Sequence, residues 1–129
     1  MTTIQVRSES RGPVDADSSR LLTLVTESLE ADKALDPAVI DLRGKTTIAD
    51  WMVVVTGTSD RHIVTMAEKL QARLEAAGFP VLSVEGLREA NWVLVDAGDV
   101  IVHIFRAETR ALYDLERLWS VAPPARAAG

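Results

Sequence analysis

Between Thr56 and His62 the chain reads TGTSDRH, a cluster of small, hydroxyl-bearing and charged residues between an apolar run and an amphipathic one. Side chains of this kind can wrap a phosphate, assemble a Ser/Asp/His group, or start a helix. A P-loop wraps phosphate with a long glycine-spaced turn followed by Lys and Ser/Thr, whereas this stretch has one glycine and no lysine. A nucleotidyltransferase uses a Gly-Ser pair on a strand-to-helix turn. It also needs two carboxylates a residue apart on a later strand, because Mg²⁺ must be held by paired carboxylates. Gly57-Thr58-Ser59 is a loose form of the first element. The second is missing, since no Asp-x-Asp follows in a strand and Asp96 and Asp99 sit across a turn. A nucleotide-binding or nucleotidyl-transferring enzyme is therefore the alternative reading. Ser59, Asp60 and His62 lie too close in sequence to align as nucleophile, orienter and base, which normally come from distant segments. The remaining role is helix capping. Thr58, Ser59 or Asp60 would accept from an orphan N–H, with Asp60 favoured by the helix dipole.

The two histidines, His62 and His103, fall short of the three or four ligands that a zinc site requires. No Cys is present, so thiolate metal sites and disulfides are excluded. Trp92 lies beside an acidic loop containing Glu85 and Glu89, and aromatic side chains next to charge are a common composition of protein-interaction surfaces.

These residues are positioned by a simple order of elements. Ser18 or Ser19 is expected to cap a first helix, with Leu21, Leu22, Val25 and Leu29 as its apolar stripe. Pro37 ends that helix and biases Asp36 towards extended backbone. AVIDL (Ala38–Leu42) and WMVVVT (Trp51–Thr56) read as strands. From Asp60 to Ala77 the residues Ile63, Met66, Ala67, Leu70, Leu74 and Ala77 share one helical face, which Gly78 terminates. PVLSV follows as a strand. WVLVDAGDVIVHIF reads as a hairpin around Asp96-Ala97-Gly98-Asp99. With Ala97-Gly98 as a two-residue turn, Asp96 opposes Asp99 and Trp92 opposes His103, a cross-strand packing pair. A last helix is expected from near Ala107 to Trp119, with Ala111, Leu112, Leu115, Leu118 and Trp119 inward. Tyr113, Glu116 and Arg117 then form a solvated or interface face. The order α-β-β-α-β-β-β-α predicts an α/β single domain with a mixed sheet of about five strands and flanking helices.

Composition agrees with one domain. The chain has 129 residues, 47% hydrophobic and 26% charged, as in soluble globular proteins. Residues 1–17 and 121–129 lack periodicity and read as flexible tails around a domain at 18–120. The net charge of -5 argues against direct nucleic-acid binding and leaves room for an acidic face that meets a basic protein. No apolar run is long enough for a bilayer, and the start has no secretory h-region, so a cytoplasmic protein is expected.

IADWMVVVTGTSDRHIVTMAEKL, VEGLREANWVLVDAGDVIVHIF and TRALYDLERLW together resemble the ribosomal silencing factor, or Iojap, family. The resemblance runs from about Leu21 to Ser120. It implies a nucleotidyltransferase-like fold without catalytic carboxylates, no enzymatic activity, and no cofactor or metal. It implies a partner, the large ribosomal subunit through its ribosomal protein 14, and steric blocking of small-subunit joining that represses translation under nutrient limitation. A homodimer is implied when the chain is free. On the motif positions, Trp92 and Tyr113 would be anchors. Asp96, Asp99 and His103 would join them, with Glu85 and Arg110 as polar support.

Overall fold

The strand Trp51–Gly57 is buried along its whole length, which only a central strand covered on both faces can achieve. In the computed structural model, which describes residues 13–120, it is the second of five strands. The elements are α1 (Pro13–Ala31), β1 (Leu35–Asp41), β2 (Trp51–Gly57), α2 (Asp60–Ala76) and β3 (Ser83–Glu85). After these come β4 (Trp92–Asp96), β5 (Val100–Arg106), α3 (Ala107–Tyr113) and α4 (Leu115–Ser120). The strands lie in the order β1-β2-β5-β4-β3. Only β2 and β5 pair in parallel, and the other three pairings are antiparallel. The expected mixed five-stranded α/β sheet is therefore present.

Alternation along β2 divides the core in two. Trp51, Val53 and Val55 face α1 and α2, and meet Ile63, Met66, Ala67, Leu70 and Leu74 of α2. Burying an Ile, Leu or Met side chain of this kind contributes about 1.5–3 kcal/mol. Met52 and Val54 face the other way, with Ile40, Leu42, Ala49 and Phe105, beneath Leu115 and Trp119 of α4. Among the described residues no helix is long and apolar enough to cross a membrane.

Several local expectations are corrected. The first helix begins at Pro13, inside the expected tail, because a proline costs little in a first turn whose N–H groups have no intrahelical partner. Ser18 is then mid-helix and 1% exposed, and its Oγ accepts the Trp51 indole N–H at 3.0 Å instead of capping. Asp36 is left-handed (φ 49°) rather than extended, at a bulge between Leu35 and Ala38 that interrupts the β1 register. β3 begins only at Ser83, so Pro80–Leu82 are not strand. The expected tail at 121–129 lies outside the described residues.

The hairpin forms one residue later than expected. Ala97 N–H donates to Val100 O at 3.0 Å, so Gly98-Asp99 are the central turn residues, and Gly98 supplies the positive φ of 90°. The Asp96 carboxylate accepts from Gly98 N–H at 2.9 Å. Trp92 consequently opposes Phe105, and His103 opposes Leu94. A register change of two leaves every side chain on its expected face, because the pleat repeats every two residues.

The last helix is broken. Asp114 adopts the left-handed conformation (φ 50°, ψ 49°), which Asp tolerates better than most residues, and divides it into α3 and α4. The break rephases the stripe. Leu115 and Trp119 pack on the core, while Leu112 and Leu118 are 76% and 67% exposed rather than inward.

Candidate functional site

The TGTSDRH turn is a structural joint. Ser59 caps α2, its Oγ accepting from His62 N–H at 3.1 Å. Thr58 N–H donates to His62 Nδ1 at 2.9 Å, and His62 Nε2 lies 2.8 Å from the Asp32 carbonyl. A carbonyl only accepts, so the proton sits on Nε2 and both ring nitrogens are committed. Asp60 pairs with Arg106. A Cβ on Gly57 would fall 2.5 Å from Ile63 Cγ1, so the absence of a side chain there serves close packing of α2 on β2. Among the described residues no group of three or more His, Asp or Glu could hold a metal ion.

The sheet face carrying α3 and α4 is more informative. Cross-strand pairing runs Glu85–Leu94–His103–Val54 in one row, and Trp92–Phe105–Thr56 in the next. Trp92 is the centre of an aromatic cluster. Its ring lies 4.5 Å from Tyr113, 5.1 Å from Phe105 and 5.8 Å from His103, centroid to centroid. His103 stacks on Phe105 at 5.9 Å and 11°. The Trp92 indole N–H donates to His103 Nδ1 at 2.8 Å. His103 is 5% exposed, and burial pushes its pKa down from 6.5 to about 4, so the ring is neutral near pH 7. With Nδ1 accepting, the proton of the neutral ring is on Nε2.

Two polar clamps hold the helices over this face. Arg110 donates through Nε and Nη2 to both Glu116 oxygens at 3.1 and 2.7 Å, and through Nη1 to Thr56 Oγ1 at 2.8 Å. The Arg110 side chain is 13% exposed, and its hydrogen bonds hold the Glu116 carboxyl below its ordinary range. This joins α3, α4 and the end of β2 across the Asp114 break. Lys45, from the β1–β2 loop, donates to the Trp119 carbonyl at 2.6 Å.

The sequence-selected residues thus separate into groups. Trp92, His103 and Tyr113 meet in one cluster, and Arg110 anchors the helix that presents Tyr113. Glu85 is exposed at the far end of the His103 row, on the half of the face where Leu94 and Asp96 are only half-buried. Asp96 ends β4, about 13 Å along the strand from Trp92 at 3.3 Å per residue, and Asp99 lies beyond it in the hairpin turn. The Asp99 carbonyl accepts from Asp50 and Trp51 N–H at 2.9 and 3.0 Å. Phe105's place in this cluster was not evident from the sequence, nor was the exposure of Leu112 and Leu118. The signal available was Asp114, a residue tolerant of the left-handed backbone, in the middle of the expected helix.

The helices over this face expose Leu112, Tyr113 and Leu118. The chain matches the family model described as "Ribosomal silencing factor during starvation" over residues 15–128. It is 52% identical over 103 residues to the ribosomal silencing factor of Zymomonas mobilis, covering 80% of this chain and 77% of that one. The corresponding Haemophilus influenzae protein is 40% identical over 100 residues, with 78% and 98% covered. A crystal structure of a Chromobacterium violaceum protein superposes with a TM-score of 0.78 at 37% identity, covering 81% of this chain and 88% of that one.

Proposed function

Because this chain belongs to the ribosomal silencing factor family, whose role is non-enzymatic, we propose that it silences ribosomes by binding ribosomal protein 14 of the large subunit and blocking small-subunit joining. The observation that carries this reading is the Trp92–Tyr113 pair, 4.5 Å apart, on the face whose helices α3 and α4 also expose Leu112 and Leu118. Large aromatic side chains are the usual energetic anchors of an interface. No bond is made or broken. The silencing strength is the interface free energy set against that of subunit joining.

In this reading Trp92 and Tyr113 seat in the partner, and Glu85, Asp96 and Asp99 provide negative charge along the open half of the face. The net charge of -5 favours encounter with a basic ribosomal protein. Arg110 supports Tyr113 from within. In the same reading, the free protein is a cytoplasmic homodimer.

The test is gradient sedimentation of purified large and small subunits with the protein. Co-migration with the large subunit, together with loss of the joined-ribosome peak, is the expected outcome. Unchanged joining at saturating protein would overturn the reading. Cross-linking at Trp92 that yields a ribosomal component other than protein 14 would correct the partner.

A further inference from the structure

We infer that His103 is a positioning residue, which holds the Trp92 ring in its docking orientation and occupies its only hydrogen-bond donor, so that the partner is recognised by the indole face alone. The inference rests on the proposed docking surface and deepens it. His103 itself is 5% exposed and offers a partner almost no surface. Its Nδ1 instead accepts the Trp92 Nε1–H at 2.8 Å, and its ring is fixed by stacking on Phe105. The indole has a single donor and no acceptor, so this bond leaves Trp92 with no polar group to offer. Tyr113, at 4.5 Å and tilted by 44°, bounds one side of the indole.

Three consequences distinguish this arrangement from a generic aromatic contact. A carbonyl or carboxylate of the partner would find no free indole donor at Trp92, so only apolar or cationic groups gain from contact with its exposed part. The rotamer cost of ordering Trp92 is met within the free protein, so it is not charged to binding. Replacing the acceptor leaves a half-buried N–H unsatisfied, and the ring can then turn to satisfy it elsewhere.

A double-mutant cycle tests this, read as affinity for large subunits. His103→Phe keeps the ring and removes the acceptor. His103→Asn keeps an acceptor near the Nδ1 position. Trp92→Phe removes the donor that His103 serves. His103→Phe is expected to weaken binding by about tenfold in the wild-type background and by less than about twofold in the Trp92→Phe background, with His103→Asn restoring most of the loss. The Trp92 indole ¹⁵N–¹H signal provides a readout independent of binding, and is expected to move upfield and exchange faster in His103→Phe only. Equal losses from His103→Phe in both backgrounds, or an unmoved indole signal, overturn the positioning role. If Trp92→Ala leaves affinity unchanged, the docking surface itself is wrong, an outcome separate from failure of the cycle.

Discussion

Lowering the pH from 7 to 4 forces a proton onto the buried ring that accepts from Trp92, and the cost follows from the position of His103. Its pKa is pushed from 6.5 down to about 4 by burial. Between those values the unfolded chain binds a proton that the native chain does not, so stability falls as the pH falls. Above about 6.5 the His103 contribution is fully present, and below about 4 it is lost. At 1.36 kcal/mol per unit, the shift corresponds to about 3 kcal/mol. Burial is the cause of the shift, and protonation would in addition set Nδ1 of the ring donor to donor against the Trp92 N–H. Urea unfolding at several pH values between 7.5 and 4 measures the effect in wild type and in His103→Asn, which cannot titrate. The difference between their slopes isolates His103 from the carboxylates and from His62. Wild type is expected to lose about 3 kcal/mol more than the variant over this range. Parallel pH profiles for the two proteins, or an NMR titration of His103 near 6.5, would refute the reasoning.

Other positions give independent tests. Gly86→Ala adds a Cβ 2.2 Å from the Trp92 carbonyl at a φ of 91°, and is expected to destabilise the fold by about 1–3 kcal/mol in denaturant titrations. Ser59→Ala removes the α2 cap and is expected to cost about 1 kcal/mol, with large-subunit binding unchanged and no heat of ATP–Mg²⁺ binding in either protein. Arg110→Met removes the clamp between β2 and α4 and is expected to cost about 1–3 kcal/mol. The same substitution should return the Glu116 carboxyl towards its ordinary range, which side-chain NMR would read.

Much of this architecture is legible in the sequence because it rests on periodicity. The apolar spacing of Ile63, Met66, Leu70 and Leu74 dictates α2, and Gly78 (φ 90°) ends it. The alternation of β4 and β5 identifies which residues share the face of Trp92, and a register change of two preserves that assignment. What the pattern did not convey are the places where one polar contact outweighs it. Ser18 is the example in α1, where a hydroxyl that reads as a cap is spent on the Trp51 indole. In the last helix, Arg110 and Glu116 satisfy each other bidentately, and Asp114 absorbs the change of direction. The leucines that look like a core stripe are thereby turned out to solvent. Likewise, Trp92 and His103 are drawn together by a diagonal hydrogen bond, whereas the sequence suggested direct opposition.

The claim that most needs direct measurement is that the Trp92–Tyr113 face docks on the large ribosomal subunit. Sedimentation of large and small subunits with wild type and with Trp92→Ala, each first shown folded by its unfolding midpoint, measures this directly. Wild type is expected to travel with the large subunit and abolish the joined-ribosome peak, while folded Trp92→Ala does neither. A folded Trp92→Ala that binds and blocks as well as wild type would contradict the docking claim.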